Sequence, residues 1–282
     1  MSAAPGLHDG ASAIGETGSL PMKLSDLVFS RLRHGVGLVA LLALLGGCVN
    51  PAEQPTDAAA ADPIEPFNRY VFEVNRFVDE IIGKPVAHFY RAAVPMPARR
   101  SISNALGNLQ LPMTAANDVL QGDPGRAGDA VGRFALNSTF GFFGLFDMAS
   151  DVGFRHHSED FGQTLGSWGV SGDPYIVLPI LGPSSPRDAV GWVVDGMTDP
   201  VTIAAQGGMG RNRGNGFTTA RTAIGFVSGR ERVLEAVAEL ERGQDFYAAM
   251  RSAHRQRRAG EIRNDQPNET TIPRRFRFGD SD

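Results

Sequence analysis

The chain has 282 residues, with 27 Lys and Arg against 31 Asp and Glu, and a formal net charge of −4. This balance lacks the basic excess that is typical of nucleic-acid-binding proteins, so no nucleic-acid partner is expected. The single cysteine excludes an internal disulfide and a zinc site made of several thiolates. A hydrophobic share of 42% is enough to build a core, so the chain is not disordered as a whole.

The only long apolar run covers residues 36–45, which is too short to span a bilayer because a spanning helix needs roughly 20 residues. Basic residues precede this run, and Leu45-Gly46-Gly47-Cys48 follows it directly. A basic segment, a short apolar segment and small residues before a cleavage point are typical of a secretory signal. Because the last four residues resemble the lipobox of bacterial lipoproteins, we predict cleavage before Cys48 and acylation of this residue as the lipid anchor.

Residues 1–21 contain nothing that a signal peptide needs, whereas residues 22–47 form a leader of ordinary shape. We therefore interpret residues 1–21 as a gene-model extension and Met22 as the start of translation, the alternative being an inert N-terminal extension. Residues 48–62 are expected to be a flexible tether, because they carry two prolines and almost nothing to bury. Val49 rather than Asp follows Cys48, which by analogy with lipoprotein sorting favours the outer membrane, facing the periplasm.

From Asp62 onward the apolar spacing is mostly helical. Pro66 opens a segment whose apolar residues recur every three or four positions on one face, namely Phe67, Tyr70, Val71, Val74, Phe77, Val78 and Ile81. Further short helices are predicted from Lys84, from Pro112 and over residues 125–138, separated by glycine and proline. The fold class is therefore mainly α, with short amphipathic helices broken by Gly and Pro.

Two segments near the C-terminal half need separate interpretation. Residues 175–181 are the most strand-like stretch, but Pro179 favours an extended connector. A long C-terminal helix is predicted over residues 228–258, because Ser228 and Glu231 have the spacing of a capping box. We expect one helical domain over residues 63–258 and a disordered tail over residues 259–282, whose basic and aromatic end is either solvated or in contact with lipid headgroups.

No local pattern indicates catalysis, a metal site or a cofactor. The sequence contains no Gly-x-Ser-x-Gly motif and no His-Glu-x-x-His motif. His156-His157 lies in a polar stretch and is expected to be a solvated loop. Most aspartates stand beside Gly or Pro or at helix starts, where Asp commonly caps helices. We therefore expect that the protein is not an enzyme.

The distribution of phenylalanine is uneven, because seven of the 17 Phe residues fall between Phe134 and Phe161. Glycine is interspersed with these rings, although each glycine inside a helix costs about 1 kcal/mol relative to Ala. The cluster is interpreted either as tight bends that present rings to lipid or as a turn that packs into the core. The candidate residues are Asn137, Phe140, Gly141, Phe142, Phe143, Gly144 and Phe146.

Several blocks occur in the same order as in a known family. They are Asp62-Pro63-Ile64-Glu65-Pro66-Phe67-Asn68-Arg69, Gln121-Gly122-Asp123-Pro124, Arg133-Phe134, Leu136-Asn137-Ser138-Thr139, Asp147, Phe161-Gly162-Gln163-Thr164-Leu165-Gly166, Trp168-Gly169-Val170, Pro174-Tyr175, Leu178-Pro179, Gly182-Pro183-Ser184-Ser185 and Arg187-Asp188. Together with the lipobox, they resemble the MlaA/VacJ lipoprotein family of Gram-negative outer membranes. One departure is Ser171-Gly172-Asp173-Pro174, which replaces a common Gly-x-Gly-Pro bend.

The resemblance implies a ring-like assembly of amphipathic helices lying in the outer membrane. It implies an amphipathic channel that removes mislocalised phospholipid from the outer leaflet and so maintains lipid asymmetry. The implied partners are phospholipid, an outer-membrane porin trimer and a periplasmic phospholipid carrier of the Mla type. In the family, the segment matching residues 137–149 is a loop near the pore. A structural lipoprotein that only docks on porins is the alternative, and a phospholipase is disfavoured by the missing motifs.

Overall fold

The computed structural model describes residues 62–264, and these residues are mostly helical with one small β-hairpin. The helices are α1 (Glu65–Val78), α2 (Lys84–Ala93), α3 (Met96–Asn108), α4 (Leu111–Leu120), α5 (Pro124–Thr139), α6 (Met148–Asp151), α7 (Phe161–Ser167), α8 (Pro186–Thr198), α9 (Pro200–Met209), α10 (Arg211–Arg232), α11 (Leu234–Glu241) and α12 (Phe246–Ile262). A π-helical turn, Asp79–Gly83, joins α1 to α2. The predicted mainly α fold is confirmed.

Local sequence explains where most of these helices begin. Proline occupies one of the first two positions of α1 to α5, α8 and α9. Proline is tolerated there because its missing N–H has no partner in the first turn of a helix. Aspartate side chains also accept a backbone N–H at several helix starts, in keeping with the expected capping role of aspartate, and these residues are Asp123, Asp147, Asp160 and Asp199.

The predicted apolar face of α1 points away from the interior of the protein. Val71 is buried, but most of the stripe is exposed, and the exposed surface continues through the π-helical turn into α2. The exposed apolar residues of this segment are Phe67, Tyr70, Val74, Phe77, Ile81, Ile82, Val86 and Phe89. We call this surface the outer apolar face. So large a patch marks a surface that contacts a partner or a membrane.

The opposite side of α1 holds the β-hairpin through two asparagines. Asn68 donates to the Tyr175 carbonyl at 2.9 Å and accepts the Val177 N–H at 2.9 Å. Asn75, two turns further along α1, donates to the Leu178 carbonyl at 2.8 Å. These amides satisfy backbone groups of the hairpin that would otherwise lack partners.

The expectation of an extended connector over residues 175–181 is wrong. Strand β1 (Ile176–Leu178) pairs antiparallel with β2 (Gly182–Ser184). Pro179 does not prevent this pairing because it lies just beyond β1, in the turn between the strands, where its missing N–H breaks no ladder bond.

The single C-terminal helix predicted over residues 228–258 is also wrong, since three helices share this region. Ser228 is buried inside α10 and cannot cap a helix start. A non-helical residue, Val233, separates α10 from α11, and Gly243 lies in the turn before Asp245, which caps α12. The helix α12 continues to Ile262, so its last four residues, 259–262, lie in the segment that was predicted to be a disordered tail.

Apolar side chains form only small clusters in the described part of the chain. Val71, Phe72, Tyr175, Val177 and Tyr247 form one of them. Leu111, Ala115 and Ala130 form another. Many polar side chains are buried as well. Asp62, expected at the end of the tether, is buried, and its carboxylate accepts hydrogen bonds from Asn68 and Arg251.

No helix within residues 62–264 is both long and apolar enough to cross a bilayer. The predicted leader, Met22, the acylated Cys48 and most of the predicted tether and tail lie outside the described residues.

Candidate functional site

The predicted candidate loop connects α5 to α6. Asn137 lies in the last turn of α5, where its side chain is buried, and the remaining candidate residues follow between the two helices. The rings of Phe140, Phe142, Phe143 and Phe146 are 57–76% exposed. Of the two interpretations, the loop that presents rings outward agrees with this geometry, and the turn packed into the core does not.

Both glycines of the loop lie where a side chain would collide with its neighbours. A Cβ atom on Gly141 would lie 2.2 Å from the Phe146 carbonyl oxygen and 2.6 Å from the Asn137 carbonyl oxygen. Gly144 has a φ of +86°, and a Cβ there would lie 2.5 Å from the Cβ of Asn108. Gly141 is therefore required by close packing, and Gly144 by both packing and backbone angle.

The backbone between the two glycines is strained. Phe142 and Phe143 have φ angles of +50° and +59°, which non-glycine residues seldom adopt. Their rings make an edge-to-face contact with centroids 5.7 Å apart. Strained conformations of this kind cluster at functional sites, where surrounding structure enforces them.

A charged cluster beneath the loop enforces this conformation. The buried guanidinium of Arg133 donates two hydrogen bonds of 2.8 Å to the Asp147 carboxylate. Asn137 donates to the same carboxylate at 3.0 Å, and its Oδ1 accepts the Ala149 N–H at 2.9 Å. Burial opposes ionisation of Asp147, but hydrogen bonds from Ser150 and Asn137 and the charge of Arg133 hold its pKa below the ordinary value.

The same charged cluster borders a large polar cavity of about 880 Å³. Arg133, Asn137 and Asp147 line it, whereas the Phe and Gly residues of the loop do not. The cavity wall also includes residues of α3, α4, α8 and α10, namely Asn104, Asn108, Thr114, Trp192, Asp195, Thr218, Arg221 and Thr222, together with Asp199, which caps α9. The loop and the cavity are thus linked through side chains at the base of the loop.

Helix α10 contributes part of one face to this cavity. The lining residues recur at helical spacing and are Thr218, Arg221, Thr222, Gly225 and Arg232. Arg221 is held by Asp199 at 2.5 Å and by the Leu109 carbonyl at 3.2 Å. Ile224 and Phe226 are exposed on the same helix. The sequence analysis missed this helix, although polar and small residues repeat along it at the spacing of one face.

The interpretation of His156-His157 as a solvated loop is wrong for one of the two residues. His157 is only 5% exposed, and its Nε2 lies 2.8 Å from Oδ2 of the buried Asp118. Both histidines line the cavity. Nearby, burial raises the pKa of Glu159, against the opposing effects of Gln121 and Arg126. No sequence pattern linked His157 to Asp118, which lies 39 residues earlier in the chain.

A second cavity of about 390 Å³ adjoins the first. Its wall is apolar on the side of the β-hairpin, with Leu178, Leu181 and Pro183, and charged on the side of α12, with Arg257 and Arg258. Ser158, Asp160, Gln163, Trp192 and Asp195 line both cavities, and we call these five residues the shared wall.

Among residues 62–264, no group of three or more His, Cys, Asp or Glu side chains is arranged to hold a metal ion. Most side chains that line the large cavity carry hydrogen-bonding or charged groups, and Leu106, Leu111, Met113 and Trp192 add apolar surface. This arrangement suits the passage or binding of a polar group inside a body whose outer surface carries exposed apolar side chains.

Comparison with known proteins gives a consistent result. The family model described as MlaA lipoprotein matches residues 60–261. A protein of Escherichia coli K12, named intermembrane phospholipid transport system lipoprotein MlaA, is 33% identical over 226 residues, covering 76% of this chain and 82% of that protein. The protein of the same name from Haemophilus influenzae is 30% identical over 224 residues, covering 78% of this chain and 87% of that protein.

Other relatives and a solved structure extend this likeness. An uncharacterized protein of Rickettsia typhi is 37% identical over 201 residues, covering 70% of this chain and 77% of that protein. A solved structure, described as the structural basis for maintenance of bacterial outer membrane lipid asymmetry, matches this chain with a TM-score of 0.61 and 33% sequence identity. The match covers 71% of this chain and 98% of that one. The chain belongs to the MlaA lipoprotein family.

Proposed function

We propose that this protein is an outer-membrane lipoprotein that forms an amphipathic channel for phospholipid. In this function it removes mislocalised phospholipid from the outer leaflet and maintains lipid asymmetry. The observation that carries the proposal is the polar cavity of about 880 Å³ inside a body with the outer apolar face. The names of the Escherichia coli and Haemophilus influenzae relatives, which refer to phospholipid transport, support it.

The physical reason for such a channel is the cost of moving a charged headgroup through hydrocarbon. A single charged side chain at the bilayer centre costs about 2.5–3.5 kcal/mol or more. Hydroxyl, amide and guanidinium groups on the cavity wall, such as those of Thr222, Asn108 and Arg221, offer hydrogen bonds that lower this cost. No covalent bond needs to form or break, so the function requires no catalytic residue.

The candidate loop is proposed to lie beside this passage. Its four exposed Phe rings would contact acyl chains, while Asn137 and Asp147 at its base face the polar cavity. A phospholipid has the same division between apolar chains and a polar head. The loop thus stands where the two parts of the lipid would separate.

Partners and location complete the proposal. We expect a porin trimer to hold the protein in the membrane and a periplasmic carrier of the Mla type to receive the lipid. Acylated Cys48 would anchor the protein at the outer membrane, facing the periplasm. Intact-mass measurement of the purified protein tests this anchor, which requires a mature chain that begins with an acylated Cys48. A chain that retains earlier residues or a free thiol there would contradict it.

A matched pair of glycine substitutions tests the channel directly. Gly225 lines the cavity, and a Cβ atom there meets nothing within 4 Å, so Gly225→Phe should fill the passage without a backbone clash. Gly216, on the same helix, has equally open surroundings but is outside the cavity lining, so Gly216→Phe is the control. The readout is outer-leaflet phospholipid in a deletion strain that carries each variant.

The channel predicts that Gly225→Phe raises outer-leaflet phospholipid to the level of the deletion strain at normal abundance, whereas Gly216→Phe does not. The alternative is a structural lipoprotein that only docks on porins. It predicts that neither substitution changes outer-leaflet phospholipid while co-purification with the porin persists. Normal lipid asymmetry with a filled cavity would therefore favour the docking function and overturn the channel.

A further inference from the structure

The shared wall brings together two segments that are distant in sequence. Asp160 and Gln163 lie at the start of α7, where the Asp160 carboxylate accepts the Gln163 N–H at 2.9 Å. Trp192 and Asp195 are three residues apart on α8 and therefore lie on one face of that helix. All four border both the large and the small cavity.

The carboxylate of Asp195 is held by neutral donors. It accepts the backbone N–H of Phe161 at 3.0 Å and 3.3 Å and the side-chain amide of Asn117 at 3.5 Å. Burial, reinforced by the nearby charge of Asp160, raises the pKa of Asp195 to about 6. Burial disfavours the charged form of this carboxylate, and a cation placed beside it would offset that cost.

Asp160 behaves differently, because Arg258 compensates its charge. The guanidinium donates to both Asp160 oxygens at 2.6 Å and 2.7 Å. These bonds offset the effect of burial, and the pKa of Asp160 stays below its ordinary value. Of the two carboxylates on the shared wall, that of Asp195 therefore has the less compensated negative charge.

An unsatisfied acceptor lies beside these carboxylates. Gln163 is 3% exposed, and its Nε2 donates to Asp160 Oδ2 at 3.0 Å, which fixes the orientation of the amide. Its Oε1 is buried without a hydrogen-bond partner. An orphaned buried acceptor is costly, so a donor brought by a ligand would stabilise it.

Trp192 completes the recognition chemistry. It is 63% exposed although it lies at the junction of two cavities. A tryptophan face attracts cations within about 6 Å of its centroid, and this attraction is the usual basis for recognising alkylammonium groups. A carboxylate, an amide oxygen and an aromatic ring together suit a positively charged nitrogen that carries N–H groups.

We propose that the shared wall, through Asp195, Trp192 and Gln163, binds the ammonium group of a phospholipid headgroup as the lipid passes the junction between the cavities. This inference rests on the proposed channel and adds the class of headgroup. Phospholipids with a primary ammonium group are expected to bind in preference to those with an uncharged glycerol headgroup.

Competitive lipid binding tests this preference. The full-length purified lipoprotein is placed in detergent micelles doped with equal amounts of phosphatidylethanolamine and phosphatidylglycerol that carry identical acyl chains. The lipid that stays bound after repurification is quantified by mass spectrometry. We expect about fivefold more ethanolamine lipid than glycerol lipid on the wild-type protein, in keeping with one cation–aromatic contact and one ionic contact.

Paired variants separate the site from general effects. Asp195→Asn and Trp192→Leu should each bring the ratio of ethanolamine to glycerol lipid to about one. Trp192→Phe should keep most of the preference for ethanolamine lipid, because an aromatic ring remains. Asp129→Asn removes a carboxylate from α5 that borders neither cavity, so it should leave the ratio unchanged.

Three results would overturn the proposal. The first is a ratio of ethanolamine to glycerol lipid near one on the wild-type protein. The second is a preference for ethanolamine lipid that persists in both Asp195→Asn and Trp192→Leu. The third is a loss of this preference in Asp129→Asn that is as large as in Asp195→Asn and Trp192→Leu. In these cases total bound phospholipid still reports on the channel. Wild-type protein that binds neither lipid would instead count against the proposed function as well, so the two failures are distinguishable.

Discussion

The outer apolar face and the cavity face of α10 reverse the usual arrangement of a water-soluble protein. On α1 and α2, residues such as Phe77 and Phe89 are exposed. On α10, Arg221 and the exposed Thr222 line the large cavity. The apolar clusters of the described residues are small, and many of the buried side chains are polar. Helical periodicity in a sequence therefore reveals that a helix has two faces, but not which of them points inward.

The largest expected effect comes from breaking the charge pair that connects the polar interior to the candidate loop. Asp147→Ala leaves the buried Arg133 guanidinium without its carboxylate, which should cost about 3–5 kcal/mol of stability. Thermal unfolding in detergent, followed by circular dichroism, measures the loss. Asp151→Ala, at an exposed position in α6, is the control, and equal melting temperatures for the two variants would contradict the role of this pair.

A charge on the outer apolar face should have the next largest effect. Phe89 is 74% exposed, so Phe89→Asp would change stability by about 0.5 kcal/mol or less if this face met water. Against hydrocarbon, an aspartate costs about 2.5–3.5 kcal/mol. We expect a lower melting temperature in lipid vesicles and lower abundance in the outer-membrane fraction. The control is His88→Asp at the neighbouring exposed position, which should lower the melting temperature and the abundance much less. Similar decreases for the two variants would argue against a lipid-facing surface.

The two loop glycines test how the exposed rings are held. Gly141→Val and Gly144→Val place a side chain against backbone carbonyl oxygens and against Asn108, respectively. Each clash costs about 1–3 kcal/mol, and displacement of the loop would relieve it. Lipid transport should therefore fall more than protein abundance, as read from detergent sensitivity and immunoblots of the same cells.

Gly128→Val on α5, where a Cβ atom meets nothing within 4 Å, is the control for these substitutions. Equal loss of protein and function would return the loop to a purely structural role. Full transport at normal abundance by both loop variants would remove the loop from the mechanism.

The smallest effect concerns the pH dependence of stability through Asp195. Its folded-state pKa, about 6, lies above the ordinary value of 3.8, so the folded state binds the proton more tightly than the unfolded state. The contribution of Asp195 to stability is therefore present below pH 4 and is lost as the pH rises to 6. The melting temperature of Asp195→Asn relative to wild type should increase across this range, and a constant difference would contradict the raised pKa.

The sequence was informative where structure depends on neighbouring residues. The helix starts at Pro112 and around Asp123 followed from proline and aspartate chemistry, which acts within one turn. The lining helix α10 was missed, since its glycines and threonines gave little apolar periodicity to detect. The break at Val233 was missed because the apolar stripe runs across it.

The side-chain pairs of the candidate site that the sequence did not predict join residues that are distant in the chain. His157 meets Asp118 and Arg133 meets Asp147 only after folding, so adjacency in the chain could not show either pair. The cluster of Phe and Gly did identify the exposed loop, because a strained turn needs particular residue types locally. The shared wall combines α7 and α8, and no local motif indicated that Gln163 and Asp195 border the same cavities.

We expect the outer apolar face to contact lipid chains and the cavity-lining residues of α10 to border a polar passage. Phe89→Cys and Thr222→Cys each introduce one thiol beyond Cys48, and a bimane fluorophore on that thiol reports contact with brominated acyl chains in reconstituted vesicles. We predict strong quenching at position 89 and little at position 222. Equal quenching at both positions, or stronger quenching at position 222, would contradict the account.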